Sequence, residues 1–134
     1  MFSHDITSIE GFIRRYDEIV ATSDFATLPS LFDPVVLVTT PTSSRCLSRE
    51  EFVAGAKARA RQFDSGPRTR LVEQKTVDLG GHYWLTSVRW TLTFGARSLD
   101  VHSDFLVRRA ADGPRIAAYL TRQDLPELLR AGDE

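Results

Sequence analysis

The chain has 134 residues, of which 42% are hydrophobic and 26% charged, and this composition excludes a disordered or collagen-like protein. We predict one domain over residues 1–134, because single domains commonly have about 100–150 residues. The net charge of −1 argues against a dedicated nucleic-acid-binding protein, which would be strongly basic. Residues 1–5 lack the features of a signal peptide and no apolar run approaches the ~20 residues that span a bilayer, so we expect a soluble, cytoplasmic protein.

Three helices are predicted in the first half of the chain. Apolar residues spaced by three and four predict an amphipathic helix over residues 6–20. Asp24 is a typical cap for a second, short helix over residues 24–32. Ser48 and Glu51 match the capping box, which predicts a third helix extending to residue 63.

The sequence pattern predicts mainly strands in the rest of the chain. One short strand is predicted at residues 35–40, and Asp124 is placed to cap a last helix at residues 125–130. Long strands separated by turn residues follow the third helix; their ranges are 69–79, 82–94, 98–109 and 115–122. The order of elements predicts an α+β fold, with N-terminal helices packed on the concave face of a strongly curved, mostly antiparallel sheet.

Alternation of side chains assigns the faces of two long strands. The even residues of 82–94 and the odd residues of 98–109 are the more apolar sets, so both should face inward. A turn at residues 96–97 would place Trp90 opposite Ser103. A turn at residues 95–96 would leave the same side chains inside.

The face occupied by Glu73 depends on the hairpin that joins the predicted strands 69–79 and 82–94. A two-residue turn at Gly80 and Gly81 would place Glu73 on the inner face near Trp90. The alternative is a β-bulge that turns Glu73 outward, since bulges are common in curved sheets.

The sequence resembles the nuclear-transport-factor-2-like superfamily, which includes ketosteroid isomerases, scytalone dehydratase and the SnoaL-like polyketide cyclases. In the first half of the chain, the resemblance rests on the first helix with Tyr16, on residues 24–32 leading into a strand, on residues 38–41, and on the capped helix with Glu51 and Phe52. In the second half, it rests on the strand residues 88–90 and on Asp104 and Phe105, which precede a turn at residues 112–113. It implies a cone in which helices cover a curved sheet, a pocket between them, and a homodimer formed through the outer sheet face.

The sequence matches only part of the set of catalytic residues that ketosteroid isomerases use. That chemistry uses an Asp base, together with a Tyr and a protonated Asp that form an oxyanion hole. Tyr16 stands where the family's Tyr would lie, but Thr40 occupies the base position and the second acid falls near Ser103. Two of the three roles are unfilled, so we do not expect steroid isomerase activity.

The predicted ligand-binding side chains combine aromatic rings and hydroxyl groups, a pattern typical of small-molecule sites. They are Tyr16, Thr40, Trp90, Ser103, Phe105 and Tyr119. The alternative is that these side chains fill the core.

Four side chains are candidates for catalysis. Tyr16 is the candidate hydrogen-bond donor, and Glu73 is the candidate base on the inner face. His102 or Asp104 could serve as the base only if the register differs, because alternation places both on the outer face with Asp100. The sequence has no His/Cys cluster with zinc-ligand spacing, so we predict no metal. It has no Gly-rich phosphate loop and no dinucleotide-binding motif, and we predict no cofactor.

Two functions remain open at this point. The first is a SnoaL-like protein that binds a small hydrophobic or aromatic molecule in an apolar pocket, with cofactor-free isomerisation, dehydration or cyclisation by general acid/base catalysis as its enzymatic form. The alternative is a non-enzymatic dimerisation or accessory module with a filled core. In both cases we expect a homodimer through the outer sheet face, and neither nucleic acid nor membrane as a partner.

Overall fold

A computed structural model of the chain describes residues 3–61, 68–94 and 96–123. The elements in chain order are α1 (Ser3–Ala21), a short 3₁₀ helix (Leu28–Leu31), β1 (Phe32–Thr39), β2 (Ser44–Ser48), α2 (Arg49–Arg61), β3 (Arg68–Leu79), β4 (Tyr83–Phe94), β5 (Arg97–Ala110) and β6 (Gly113–Thr121). The strands form one sheet in the order β2-β1-β6-β5-β4-β3. Among the strands that the structure describes, only β1 and β6 pair in parallel. The segment with β2, α2 and β3–β5 lies between them in the chain and provides the long connection that a parallel pair needs.

The two helices pack against one face of the curved sheet, which we call the inner face. Ile9 and Ile13 of α1 are fully buried there, together with Phe105 and Val107 of β5. Phe52 of α2 belongs to the same cluster of buried side chains. The prediction of an α+β fold with helices on the concave face of a mostly antiparallel sheet is confirmed.

The capping box that begins α2 is also confirmed. The backbone N–H of Glu51 donates to Ser48 Oγ over 3.1 Å, and the backbone N–H of Ser48 donates to Glu51 Oε1 over 3.0 Å. The backbone bond from Ser48, followed by its side-chain bond, lowers the pKa of Glu51. Two backbone donors that the helix itself cannot satisfy are thereby paired.

Two predictions for the first half differ from the structure. The predicted helix at 24–32 is reduced to a turn and the 3₁₀ helix, with Asp24 Oδ1 accepting from the N–H of Thr27 over 3.2 Å. Phe32 instead begins β1, where it pairs with Ile116. β2 was not predicted, because it is short and mostly exposed and is held by its pairing with β1 rather than by an apolar pattern.

The pairing of β4 with β5 fixes the faces of the sheet. Val88 lies opposite Ser103 and Trp90 opposite Val101, which is the strand register of the second alternative given above. The predicted pairing of Trp90 with Ser103 is therefore wrong by two residues. The predicted faces are correct, because a shift of two residues preserves alternation.

Of the two alternatives for Glu73, the outer face is the one observed, so the inner-face position assumed for the candidate base is not found. The hairpin loop, rather than a bulge, places Glu73 there. Leu79 pairs with Tyr83, so the hairpin loop has the three residues 80–82 instead of two. The side chains of β3 between this loop and the bulge, residues 73–79, therefore lie on the face opposite to the one that a two-residue turn predicts. Glu73 is exposed and lies opposite Arg89 on the outer face. A bulge between Leu71 and Glu73 then returns Leu71 to the side of Trp90.

Both glycines of this loop have positive φ angles, 77° for Gly80 and 84° for Gly81, which glycine adopts without steric cost. Asp78 Oδ1 accepts from the N–H of Gly81 over 2.7 Å. This bond stabilises the three-residue loop.

The predicted helix at 125–130, with its cap Asp124, lies outside the described residues. In the part of the chain that the structure describes, no helix is long and apolar enough to cross a membrane.

Candidate functional site

Aromatic side chains meet at the centre of the inner face. The ring of Phe105 lies 5.2 Å from that of Tyr16, 5.1 Å from that of Tyr119 and 6.5 Å from that of Trp90, measured between centroids. Phe105 is fully buried, and 9% of Tyr16 is exposed. We call Tyr16, Trp90, Phe105 and Tyr119 the aromatic cluster; it combines residues from α1, β4, β5 and β6.

A pair of hydroxyl groups lies inside this apolar surrounding. Ser103 Oγ and the Tyr119 hydroxyl share a hydrogen bond of 3.3 Å, and only 1% of Ser103 is exposed. A hydroxyl group both donates and accepts, so the pair can present either function to a third polar atom. Five of the six predicted ligand-binding side chains thus lie together on the inner face.

The sixth, Thr40, follows β1, and its side chain is hydrogen-bonded within the loop that begins there. Its Oγ1 accepts from the backbone N–H of Thr42 over 3.2 Å and from that of Ser43 over 3.1 Å. These bonds make Thr40 part of a turn, which is a common use of Thr at the end of a strand.

The three candidate bases lie on the outer face, on the opposite side of the sheet from the aromatic cluster. Glu73 is there because of the three-residue hairpin loop. His102 lies opposite Arg89 and Asp104 opposite Ser87, so both are on the outer face, which is the face that alternation predicted. The different register that would have brought His102 or Asp104 inside is not observed.

Both carboxylate oxygens of Asp104 also accept hydrogen bonds from neighbouring side chains. Arg122 donates to both of its carboxylate oxygens over 3.0 Å, and Ser87 Oγ donates to Oδ1. The hydrogen bonds from Arg122, followed by that from Ser87, hold the pKa of Asp104 below its usual value. A carboxylate held ionised by two donors fastens β4, β5 and the end of β6 together, and it is a weak base.

Polar side chains that were not predicted also occupy the inner face. Thr76 and Thr86 share a hydrogen bond of 3.0 Å. Gln74 lies opposite Val88 and Thr121 opposite Ser103, so both side chains face inward as their partners do. Gln74 and Thr76 were missed because the two-residue turn placed the odd residues of β3 inside. The sequence pattern does not decide whether Tyr119 or its neighbours Ala118 and Leu120 face inward. The structure places Tyr119 opposite Phe105 and Thr121 opposite Ser103, so both face inward.

The outer face carries exposed apolar side chains. We call these the outer apolar residues: Val35, Leu37, Val77, Leu79 and Tyr83. They come from β1 at one side and from β3 and β4 at the other, and their outward orientation follows from the register. The exposed fraction reaches 59% for Val35 and 56% for Val77.

No group of three or more His, Cys, Asp or Glu side chains is placed to hold a metal ion within residues 3–61, 68–94 and 96–123.

Comparison with known proteins identifies the fold. No protein-family model matches the chain, and no curated protein matches it. Among solved structures, a nuclear-transport-factor-2-like protein of unknown function from Shewanella oneidensis is 14% identical, with a TM-score of 0.75 over 92% of this chain and 100% of that one. A protein from Kribbella flavida is 16% identical, with a TM-score of 0.77 over 97% and 99% of the two chains. A candidate dehydratase of the same fold family from Streptomyces avermitilis is 17% identical, with a TM-score of 0.73 over 93% and 99%.

The chain therefore has the nuclear-transport-factor-2-like fold. The predicted resemblance is confirmed at the level of the fold.

Proposed function

We propose that the protein binds a small hydrophobic or aromatic molecule on the inner face, against the aromatic cluster. The observation that carries the proposal is the hydroxyl pair of Ser103 and Tyr119, which lies among aromatic rings. Apolar surroundings with a few well-placed polar groups are the usual form of a small-molecule site. The rings would contact the ligand, and the hydroxyls would orient one of its polar atoms.

The enzymatic form of the proposal gives Tyr16 the role of a hydrogen-bond donor to an oxygen that gains negative charge. Such a donor supports isomerisation, dehydration or cyclisation without a cofactor. The candidate dehydratase from Streptomyces avermitilis with the same fold supports this class of reaction. Because Glu73, His102 and Asp104 lie on the outer face, the proposal assigns them no proton transfer on the inner face.

The test is calorimetric titration of β-naphthol into the wild type and two variants that each lose one phenolic hydroxyl. Tyr16→Phe changes the inner face, and Tyr83→Phe is the matched control on the outer face. We expect the wild type and Tyr83→Phe to bind equally, and Tyr16→Phe to bind about 3–10-fold more weakly, the equivalent of one hydrogen bond. Absence of binding to the wild type, or equal affinities of all three, would contradict the proposal.

A second candidate function is dimerisation, and the outer apolar residues favour it. We propose that a second copy of the chain covers these residues, because exposed apolar side chains gathered on one face mark interaction surfaces. A dimerisation or accessory module would need only this face, whereas a ligand-binding protein would use both faces of the sheet.

Light scattering at micromolar concentration tests the dimer. We expect the mass of two chains for the wild type and for Ala54→Lys, whose site is exposed on α2, and the mass of one chain for Val77→Lys. A lysine in the interface would bury an unpaired charge. A wild type with the mass of one chain would refute this candidate.

A further inference from the structure

We infer that a ligand on the inner face is held at two polar points, Gln74 at one end and Thr121 at the other, and that it carries a hydrogen-bond donor such as a hydroxyl group at the Gln74 end. This inference rests on the proposed function, because it requires a ligand at the aromatic cluster. It adds to that proposal the chemical class of the ligand.

The strand register places the two residues in one row. Gln74 pairs with Val88, Val88 with Ser103, and Ser103 with Thr121. All four side chains face inward, because alternation assigns them to the face of the buried Val88 and Ser103. The row crosses three strand spacings of ~4.8 Å each, or about 14 Å along the curved sheet. A ligand that reaches both ends of the row would therefore be about as long as two or three fused rings, once the side chains that contact it are included.

At one end of the row, the orientation of the Gln74 amide is fixed. Its Nε2 donates to the backbone carbonyl of Glu10 in α1 over 3.3 Å. A carbonyl oxygen can only accept, so the amide cannot be reversed without losing this bond. The Oε1 atom is left buried and without a hydrogen-bond partner. It is an acceptor, and a ligand that satisfies it must supply an O–H or N–H group.

At the other end of the row, Thr121 Oγ1 is also buried and without a partner. It neighbours Ser103 across the β5–β6 pairing, and Ser103 already shares a hydrogen bond with Tyr119. A threonine hydroxyl can donate or accept, so this end takes either a hydroxyl or a carbonyl oxygen of the ligand.

Buried polar atoms without partners are rare in folded proteins, because each has lost its hydrogen bonds to water. Gln74 and Thr121 leave two such atoms in one row. The buried Ser103 lies between them and is hydrogen-bonded to Tyr119 of the aromatic cluster. The combination fits a hydroxylated aromatic compound with oxygen atoms at opposite ends of its ring system.

The test compares three probes: naphthalene, β-naphthol and a dihydroxynaphthalene whose hydroxyls lie at opposite ends. Each is titrated by calorimetry into the wild type, Gln74→Leu, Thr121→Val and the control Thr91→Val, which removes a hydroxyl from the outer face. The wild type is expected to bind the dihydroxy probe most tightly and naphthalene most weakly. Gln74→Leu and Thr121→Val should each bind the dihydroxy probe about 3–10-fold more weakly, with unchanged affinity for naphthalene. Thr91→Val should behave as the wild type.

The outcomes separate this inference from the proposed function. Equal affinity of the wild type for all three probes, with no effect of either inner variant, would overturn the two polar points and leave a ligand site in place. Absence of binding of any probe would overturn both. Thr121→Val replaces a hydroxyl by a methyl group of similar size, so it keeps the inference testable if Gln74→Leu loses its contact with α1 and fails to fold. A fixed water molecule on Gln74 Oε1, present both with and without the dihydroxy probe, would also overturn the inference.

Discussion

Replacing Phe105 by alanine is expected to lower the free energy of unfolding by about 3–5 kcal/mol. Phe105 is fully buried, and its ring contacts those of Tyr16, Trp90 and Tyr119. The substitution removes the ring that joins α1 to the centre of the sheet, and the surrounding side chains can fill the space only in part. Urea unfolding of the wild type and the variant measures the loss.

Leu106→Ala is the matched control. Leu106 is the next residue of β5, and its side chain lies half-buried on the outer face. We expect its loss to be clearly smaller, because less apolar surface leaves a well-packed environment. Equal effects of the two substitutions, or a loss below about 1 kcal/mol for Phe105→Ala, would contradict the placement of Phe105 at the centre of the core.

Replacing Tyr119 by phenylalanine is expected to lower the free energy of unfolding by about 1–3 kcal/mol, although the ring is retained. The variant removes the hydroxyl that is hydrogen-bonded to Ser103 Oγ, a group that is almost completely buried. A buried polar group that loses its partner bears the full cost of its lost hydration. Urea unfolding again gives the difference.

The double variant Tyr119→Phe, Ser103→Ala separates the lost bond from other effects. With both hydroxyls removed, no polar atom of the pair is left unsatisfied, so the double variant should recover much of the stability lost in Tyr119→Phe. A double variant that is less stable than Tyr119→Phe would show that the two hydroxyls do not form the pair described here.

The inner and outer faces of β4 and β5 could be predicted because one alternating set of residues in each strand is clearly more apolar than the other. Even an error of two residues in the register left Trp90, Ser103 and Phe105 on the correct side. The capping box was equally predictable, since Ser48 and Glu51 act within one helical turn. Both features depend on residues that are close in sequence or on a repeated pattern.

The face of β3 could not be predicted in the same way. Gly80 and Gly81 suit a two-residue turn as well as the three-residue loop that the structure contains, and the two choices place opposite sets of side chains inside. The apolar residues of β3 do not decide between them, because Leu71 faces inward and Val77 outward on the two sides of a bulge. The inward position of Gln74 follows from pairing and from its contact with α1, which are tertiary features.

The central claim is that the inner face binds a small molecule, and a crystal structure with bound dihydroxynaphthalene tests it most directly. The claim predicts electron density for the probe against Trp90 and Phe105, with one hydroxyl at Gln74 and the other oxygen at Thr121. A probe bound only on the outer face, or an inner face packed solid by its own side chains at saturating probe concentration, would contradict it.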